Sequence, residues 1–113
     1  MQEKIEIQPV MDALEVIGGK WKFPILYSLC SGKKRFKDLL QDIGKITPKM
    51  LSLELKDLEI NGLVTRTAIP TVPVTVEYEM TEYGLTLKPV LVHIQEWGKK
   101  HREKIINESL NSK

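Results

Sequence analysis

Residues 46–80, ITPKMLSLELKDLEINGLVTRTAIPTVPVTVEYEM, change period partway. Up to about Ile60 the apolar residues recur at helical spacing. Over 63–80 they alternate like a two-stranded ribbon, bent at a tip written Pro70-Thr71-Val72-Pro73. A helix feeding directly into a hairpin is the outline of a winged helix. A short helix and a three-residue turn lie just upstream, so the helix at Thr47 reads as the second member of a helix-turn-helix. The expected fold is α+β and mostly helical, a winged helix-turn-helix with a two-stranded wing, and its expected partner is double-stranded DNA.

At 113 residues the chain makes one domain with a single core and no room for a separate catalytic domain. It opens Met1-Gln2-Glu3-Lys4, with no basic region ahead of an apolar stretch, and no apolar run approaches the ~20 residues of a membrane span. A cytoplasmic protein with no membrane partner is expected. A single cysteine, Cys30, forms no internal disulfide and points to neither secretion nor a structural zinc site.

The net charge of +2 is too small to argue for a polyanion by itself, but its distribution is uneven. Between Lys20 and Lys49 stand Lys20, Lys22, Lys33, Lys34, Arg35, Lys37, Lys45 and Lys49 against only Asp38 and Asp42, a local balance of +6. Charge sorted onto the helix-turn-helix segment is the footprint a phosphate backbone requires. An ordinary solvated surface is the competing interpretation.

Along the chain, residues 1–8 have no clear period and read as an arm. Pro9 suits the first turn of a helix carrying Val10, Leu14 and Ile17, stopped by Gly18-Gly19. Buried Trp21 with Ile25, Leu26 and Leu29 forms a second stripe, with Pro24 tolerated in its first turn and Ser31-Gly32 ending it. Phe36, Leu39, Leu40 and Ile43 make a compact third helix closed by Gly44. Thr47 as N-cap and Pro48 at the first helical position restart helical structure, with Met50, Leu51, Leu55 and Leu58 facing inward and Asn61-Gly62 as the exit. The helix-turn-helix thus covers 36–60 and the wing 63–80. Thr81 caps a final segment, 81–113, with apolar positions Leu85, Leu87, Val90, Leu91, Ile94 and Trp97. Pro89 removes a backbone hydrogen bond there and should kink or split the helix near 85–88. Beyond Gly98 the tail turns polar, and Ile105, Ile106 and Leu110 either prolong an amphipathic helix or fray.

On the second strand of the ribbon Val72, Val74, Val76, Tyr78 and Met80 share one face. A tip centred between Thr71 and Val72 sets Arg66 directly opposite Glu77, a cross-strand ion pair of about 0.2–1 kcal/mol.

With its leucines committed to the core, the Thr47 helix presents Pro48, Lys49, Ser52, Leu53, Lys56 and, further round, Glu54 outward. A recognition helix enters the major groove by its N-terminal end, which makes Lys49 and Ser52 the candidates for base contact and leaves Leu53 within reach of a thymine methyl. The start of the helix at Phe36 offers free N–H groups and a positive dipole end beside Lys33, Lys34 and Arg35, a phosphate site by its chemistry. Phe36 itself is expected in the core. Lys20 and Lys22 flank Trp21 and either reach the DNA backbone or solvate a helix start. The wing tip has no positive charge, so contact there would be steric or through the hydroxyls of Thr71 and Thr75.

Enzymatic chemistry finds no constellation. His93 and His101 are eight residues apart, too far for an i, i+4 metal pair, and no second cysteine completes a shell. Gly18-Gly19 precedes Lys20-Trp21 without a strand before it, unlike a phosphate loop. Cys30 lies beside the basic cluster, which would lower the pKa of a thiol facing it; the alternative is a small buried apolar side chain. No cofactor and no metal are expected.

Taken in order, Gly18-Gly19-Lys20-Trp21, Ile25-Leu26, Arg35-Phe36 with Leu39, Met50-Leu51 with Leu55 and Leu58-Glu59, Gly62-Leu63-Val64 with Arg66, Val72-Pro73, Val76-Glu77-Tyr78, Thr81, Gly84, Pro89-Val90-Leu91 and Trp97-Gly98 resemble the HxlR-type regulators. These are small bacterial winged-helix transcription factors related to the MarR group, and the resemblance spans 9–98. It implies a homodimer on a pseudo-palindromic operator, with the first and last helices as dimerisation helices. That maps the interface onto Val10, Met11, Leu14, Val90, Leu91, Ile94 and Trp97. Many members carry a sensing cysteine immediately before the proline of the first helix, where this chain has Gln8. Thr75 stands where the family often has an arginine before Val-Glu-Tyr.

Thr47, Pro48, Lys49, Ser52, Leu53 and Lys56 therefore form the candidate recognition surface, with Lys20, Lys33, Lys34 and Arg35 as backbone contacts and Thr71 and Thr75 on the wing. The expected function is a sequence-specific, homodimeric, DNA-binding transcriptional regulator. The competing class is a winged-helix protein-interaction module without DNA binding, which the uncharged wing tip favours and the clustered +6 opposes.

Overall fold

Two glycines with φ of +89° and +77°, Gly44 and Gly62, bracket the helix that follows the turn, ending one element and releasing the next. At such φ an L side chain is strained, so glycine is the residue that lets the chain reverse there. The computed structural model describes residues 4–111 and consists of α1 (Ile7–Ile17), α2 (Lys22–Leu29), β1 (Lys34–Arg35), α3 (Phe36–Ile43), α4 (Pro48–Ile60), β2 (Val64–Ile69), β3 (Thr75–Met80), α5 (Glu82–Leu85) and α6 (Lys88–Asn111). The winged helix-turn-helix is as expected. Of the arm expected over 1–8, the first three residues lie outside the described ones, and α1 already includes Ile7 and Gln8.

The core collects the apolar stripes of α2, α3 and α4. Ile25, Leu26, Leu29, Leu39, Leu51, Leu55 and Leu58 are fully buried, joined by Leu63, Val64, Tyr78 and Met80 from the ribbon and Leu91 from α6. Each such leucine contributes roughly 1.5–3 kcal/mol of hydrophobic free energy. Phe36 packs against this core with its ring 6.5 Å from that of Tyr78. Met50, expected inward, is 38% exposed. At 100° per residue it falls on the flank shared by Glu54 and Asp57, beside the leucine stripe. Trp21 is half-buried, packed against the core at its edge.

The wing gains a third strand that the sequence did not announce. The antiparallel sheet runs β1-β3-β2, with Lys34 opposite Tyr78 and Arg35 opposite Glu77. The β2–β3 register differs from the expected one by a single residue. Arg66 stands opposite Tyr78, Glu77 opposite Thr67, and the hairpin centre is Val72 itself. The Arg66–Glu77 ion pair is therefore absent, since neighbouring positions along a strand point to opposite faces. The observed register sets buried Val64 opposite buried Met80, whereas the expected one would have set it opposite exposed Glu79.

The base of the wing is tied to the last helices. The Thr81 hydroxyl donates to Gly62 O at 2.7 Å, and the same oxygen accepts from the Gly84 N–H at 2.8 Å, capping α5 as expected. Gly84 packs so closely that a Cβ there would lie 2.2 Å from Leu63 O. Pro89 splits α5 from α6 with Thr86-Leu87 between them, and α6 then continues without fraying through Asn111. Its 24 residues span about 36 Å. The radius of gyration, 17.1 Å, exceeds the ~13 Å of a compact domain of this length, because α1 and α6 project from the core.

Candidate nucleic-acid interface

The start of α4 is built by its first residues. Thr47 is in extended conformation, its Oγ1 accepts from the Met50 N–H at 3.1 Å, and Pro48 takes the first helical position. Lys49, Ser52, Leu53 and Lys56 then follow at i, i+3, i+4 and i+7, all exposed, on the side away from Leu51, Leu55 and Leu58. Pro48 is exposed beside them, while the Thr47 hydroxyl is already engaged as the cap.

Around this row the basic residues divide into two groups. Lys20, Lys33, Arg35, Lys37, Lys45 and Lys49 are exposed and form no ion pair among the described residues. Lys20 lies 4.8 Å from the centroid of the Trp21 ring, a cation-π contact that holds its stem against the domain. The other two are neutralised. Lys34 pairs with Asp42, and its ammonium also donates to Ser28 Oγ at 3.0 Å. Lys22 turns inward, 2.9 Å from Glu54 Oε2 and 3.1 Å from Asp57 Oδ2, with a side chain only 14% exposed. Both ammoniums thus already meet carboxylates, Lys34 at the surface and Lys22 toward the interior, where it neither reaches outward nor solvates the helix start.

The first turn of α3 is also partly occupied. The Arg35 N–H donates to Asp38 Oδ2 at 3.4 Å, so one of the donors expected to face a phosphate already meets a carboxylate. Asp42, in turn, is held below the usual carboxylate range, first by the hydrogen bond from Lys34 and then by that from Ser28 at 2.8 Å.

At the wing tip the two threonines satisfy each other. Thr71 Oγ1 donates to Pro73 O at 2.7 Å and lies 2.8 Å from Thr75 Oγ1, which is half-buried. Val72 is fully exposed between them. A groove of about 540 Å³ separates this tip from Arg35 and Lys37, so the wing and the start of α3 face one open space.

The residues mapped to the dimer interface also separate. Val10, Met11, Leu14, Val90, Ile94 and Trp97 are exposed, together with Ile5 and Ile7, apolar surface with nothing covering it in the protomer. Leu91 is 1% exposed and belongs to the core. One turn of α6 points inward at Leu91 while its neighbours point out, which corrects its assignment to the interface. Trp97 stacks on His101, 5.0 Å between ring centroids and 11° from parallel. The same α6, with α2 and α3, walls a cavity of about 770 Å³ between Trp21, Tyr27, Asp42 and Ile94.

Cys30 is half-buried, and burial pushes its thiol up, opposed by the charge of Lys88. The opposing charge comes from Lys88 rather than from the basic cluster at 33–35 that the sequence pointed to. Among the described residues no helix is long and apolar enough to cross a membrane, and no three His, Cys, Asp or Glu side chains are grouped as a metal site.

The HxlR-like helix-turn-helix family matches residues 16–106. An uncharacterized HTH-type transcriptional regulator of Bacillus subtilis (strain 168), YdeP, is 46% identical over 97 residues, which is 86% of this chain and 76% of that protein. A second from the same organism, YtcD, is 40% identical over 111 residues, covering 98% of this chain and 88% of its own. Among solved structures, the reduced form of the redox regulator HypR superimposes with a TM-score of 0.82 at 42% identity, over 88% of this chain and 98% of that one. The chain belongs to the HxlR-like helix-turn-helix family and is a transcriptional regulator of the helix-turn-helix type, not an enzyme.

Proposed function

We propose that this regulator works in the cytoplasm as a homodimer, binding a pseudo-palindromic operator with one α4 helix in each of two successive major grooves. The observation that carries this is the exposed row Lys49, Ser52, Leu53 and Lys56, with exposed cations outside any ion pair at Lys37 and Lys45 within the helix-turn-helix and at Lys20, Lys33 and Arg35 in the segment leading into it. The row supplies base-edge chemistry; the cations supply the counterion release that drives backbone binding. Uncovered apolar side chains on α1 and α6 support pairing of two copies. Twofold symmetry then spaces the α4 helices by one turn of B-DNA, about 34 Å. Gln8 stands before Pro9 in place of a cysteine, and burial pushes the Cys30 thiol up.

The wing tip, free of positive charge, favours a second reading in which the fold docks a protein instead. Selection of genomic fragments with the purified protein at physiological salt separates the two. Enrichment of fragments sharing an inverted repeat with half-sites about 10 base pairs apart is expected. Recovery without any common element overturns the operator reading.

A further inference from the structure

Resting on the DNA-binding reading above, we propose that Lys22 is a positioning residue for base recognition: by holding Glu54 and Asp57 from α2, it sets the roll of α4 about its own axis and thus the aim of Lys49 and Ser52. Three faces of α4 make this geometry. Leu51, Leu55 and Leu58 point into the core, and Lys49, Ser52, Leu53 and Lys56 point away from it. Glu54 and Asp57, one turn apart, lie on the flank between those faces, where Lys22 reaches both at 2.9 and 3.1 Å.

Leucine packing holds α4 against the core but is non-directional, and a cylinder resting on an apolar stripe retains freedom to roll. A charge-assisted hydrogen bond to Glu54 and an ion pair with Asp57, both placed to one side of that stripe, remove it. The lever is short and sensitive. For a helix about 5–6 Å in outer radius, a roll of about 10° moves a side-chain head by about 1 Å. Recognition constellations need placement within roughly 0.5 Å and 10–20°. The anchor is firm, because Lys22 opens α2, whose Ile25, Leu26 and Leu29 are fully buried. Desolvation of the ammonium offsets much of what such a pair gives to stability, which leaves orientation as its main effect. The hydrogen bond to Glu54 nonetheless outweighs desolvation and raises the Lys22 pKa, so the clamp stays charged throughout the neutral range.

The test compares wild type with Lys22→Met, of similar length and no charge, and with Lys22→Arg. Residual dipolar couplings on the free protein give the orientation of α4 relative to α2. Titrations give the ratio of affinities for the best selected duplex and for a scrambled one. Lys22→Met is expected to fold, to shift or disperse the α4 orientation, and to lower the ratio about tenfold, the size of one lost base contact. Nonspecific affinity should fall by less than the specific one, because the two carboxylates left behind repel every duplex alike while the aim of α4 matters only to the selected one, and Lys22→Arg should restore the ratio. An unchanged α4 orientation, an unchanged ratio, or equal loss on both duplexes overturns the proposal. Should Lys22→Met fail to fold, Glu54→Gln, which leaves Asp57 as partner, is read by the same two measurements. If the wild type prefers no duplex, the operator reading fails separately, and the α4 orientation alone decides the clamp.

Discussion

The hydroxyl oxygen of Thr47 accepts the backbone N–H of Met50 at 3.1 Å, so the end of α4 that would enter a groove is closed by its own first residue. Replacing Thr47 with Ala frees that donor and should destabilise the protein by about 1 kcal/mol, as loss of an N-cap typically does. Urea unfolding of the pair of proteins measures it. A change below about 0.3 kcal/mol would mean that Pro48 alone fixes the helix start.

Free and engaged cations should behave differently on DNA. Lys33→Ala and Arg35→Ala should each weaken binding to all duplexes alike and flatten the slope of log K against log salt by about one unit. Lys34→Ala should change the slope less, since its ammonium is paired with Asp42 and Ser28. Lys49→Ala should lose discrimination instead, costing about 1–3 kcal/mol on the specific duplex only. Equal loss on specific and scrambled duplexes in the Lys49 variant would contradict base reading.

Asp42 gives the fold an acid-side sensitivity. Its pKa in the folded protein lies below the ordinary 3.8, through the Lys34 and Ser28 hydrogen bonds. The stabilisation is therefore complete above pH 3.8 and is lost as pH falls through the lower folded value. Asp42 is 41% exposed, and solvent screening keeps the effect small. Asp42→Asn should be less stable than wild type near neutrality, with the difference narrowing as pH falls toward 3. Denaturation midpoints across that range test the sign; a difference that widens on acidification would sink it.

Leu91 and Trp97 lie six residues apart on α6 and should report on different things. Leu91→Ala removes a fully buried side chain and should lower protomer stability by about 2–5 kcal/mol. Trp97, 66% exposed, should cost the protomer little when truncated. If α6 pairs with a second copy, Trp97→Ala should weaken self-association, measured by sedimentation equilibrium. Unaltered association in that variant would remove Trp97 from the interface.

The element order was legible because caps and breakers act locally. Thr47-Pro48, Asn61-Gly62, Thr81 and Pro89 each sit where the structure starts, ends or splits a helix. The wing register was harder, since Thr65, Arg66 and Thr67 are all exposed and impose no face on β2. The signal that could have settled it was at the base of the ribbon, where only the observed register matches Val64 with Met80. Charge counting located the basic segment but not the engaged members of it. The carboxylates that hold Lys22 lie more than thirty residues away on α4, and such a pairing is visible only once α2 and α4 cross. The two-residue β1 was likewise invisible, as no periodicity exists in so short a strand.

The hairpin tip from Pro70 to Val74 carries no ionisable side chain. Any hold it has on a duplex displaces no counterions, so that part of the affinity persists as ionic strength rises while the lysine-driven part fades. Under concentrated salt, the residual binding would be the signature of van der Waals and hydroxyl contact by the ribbon alone.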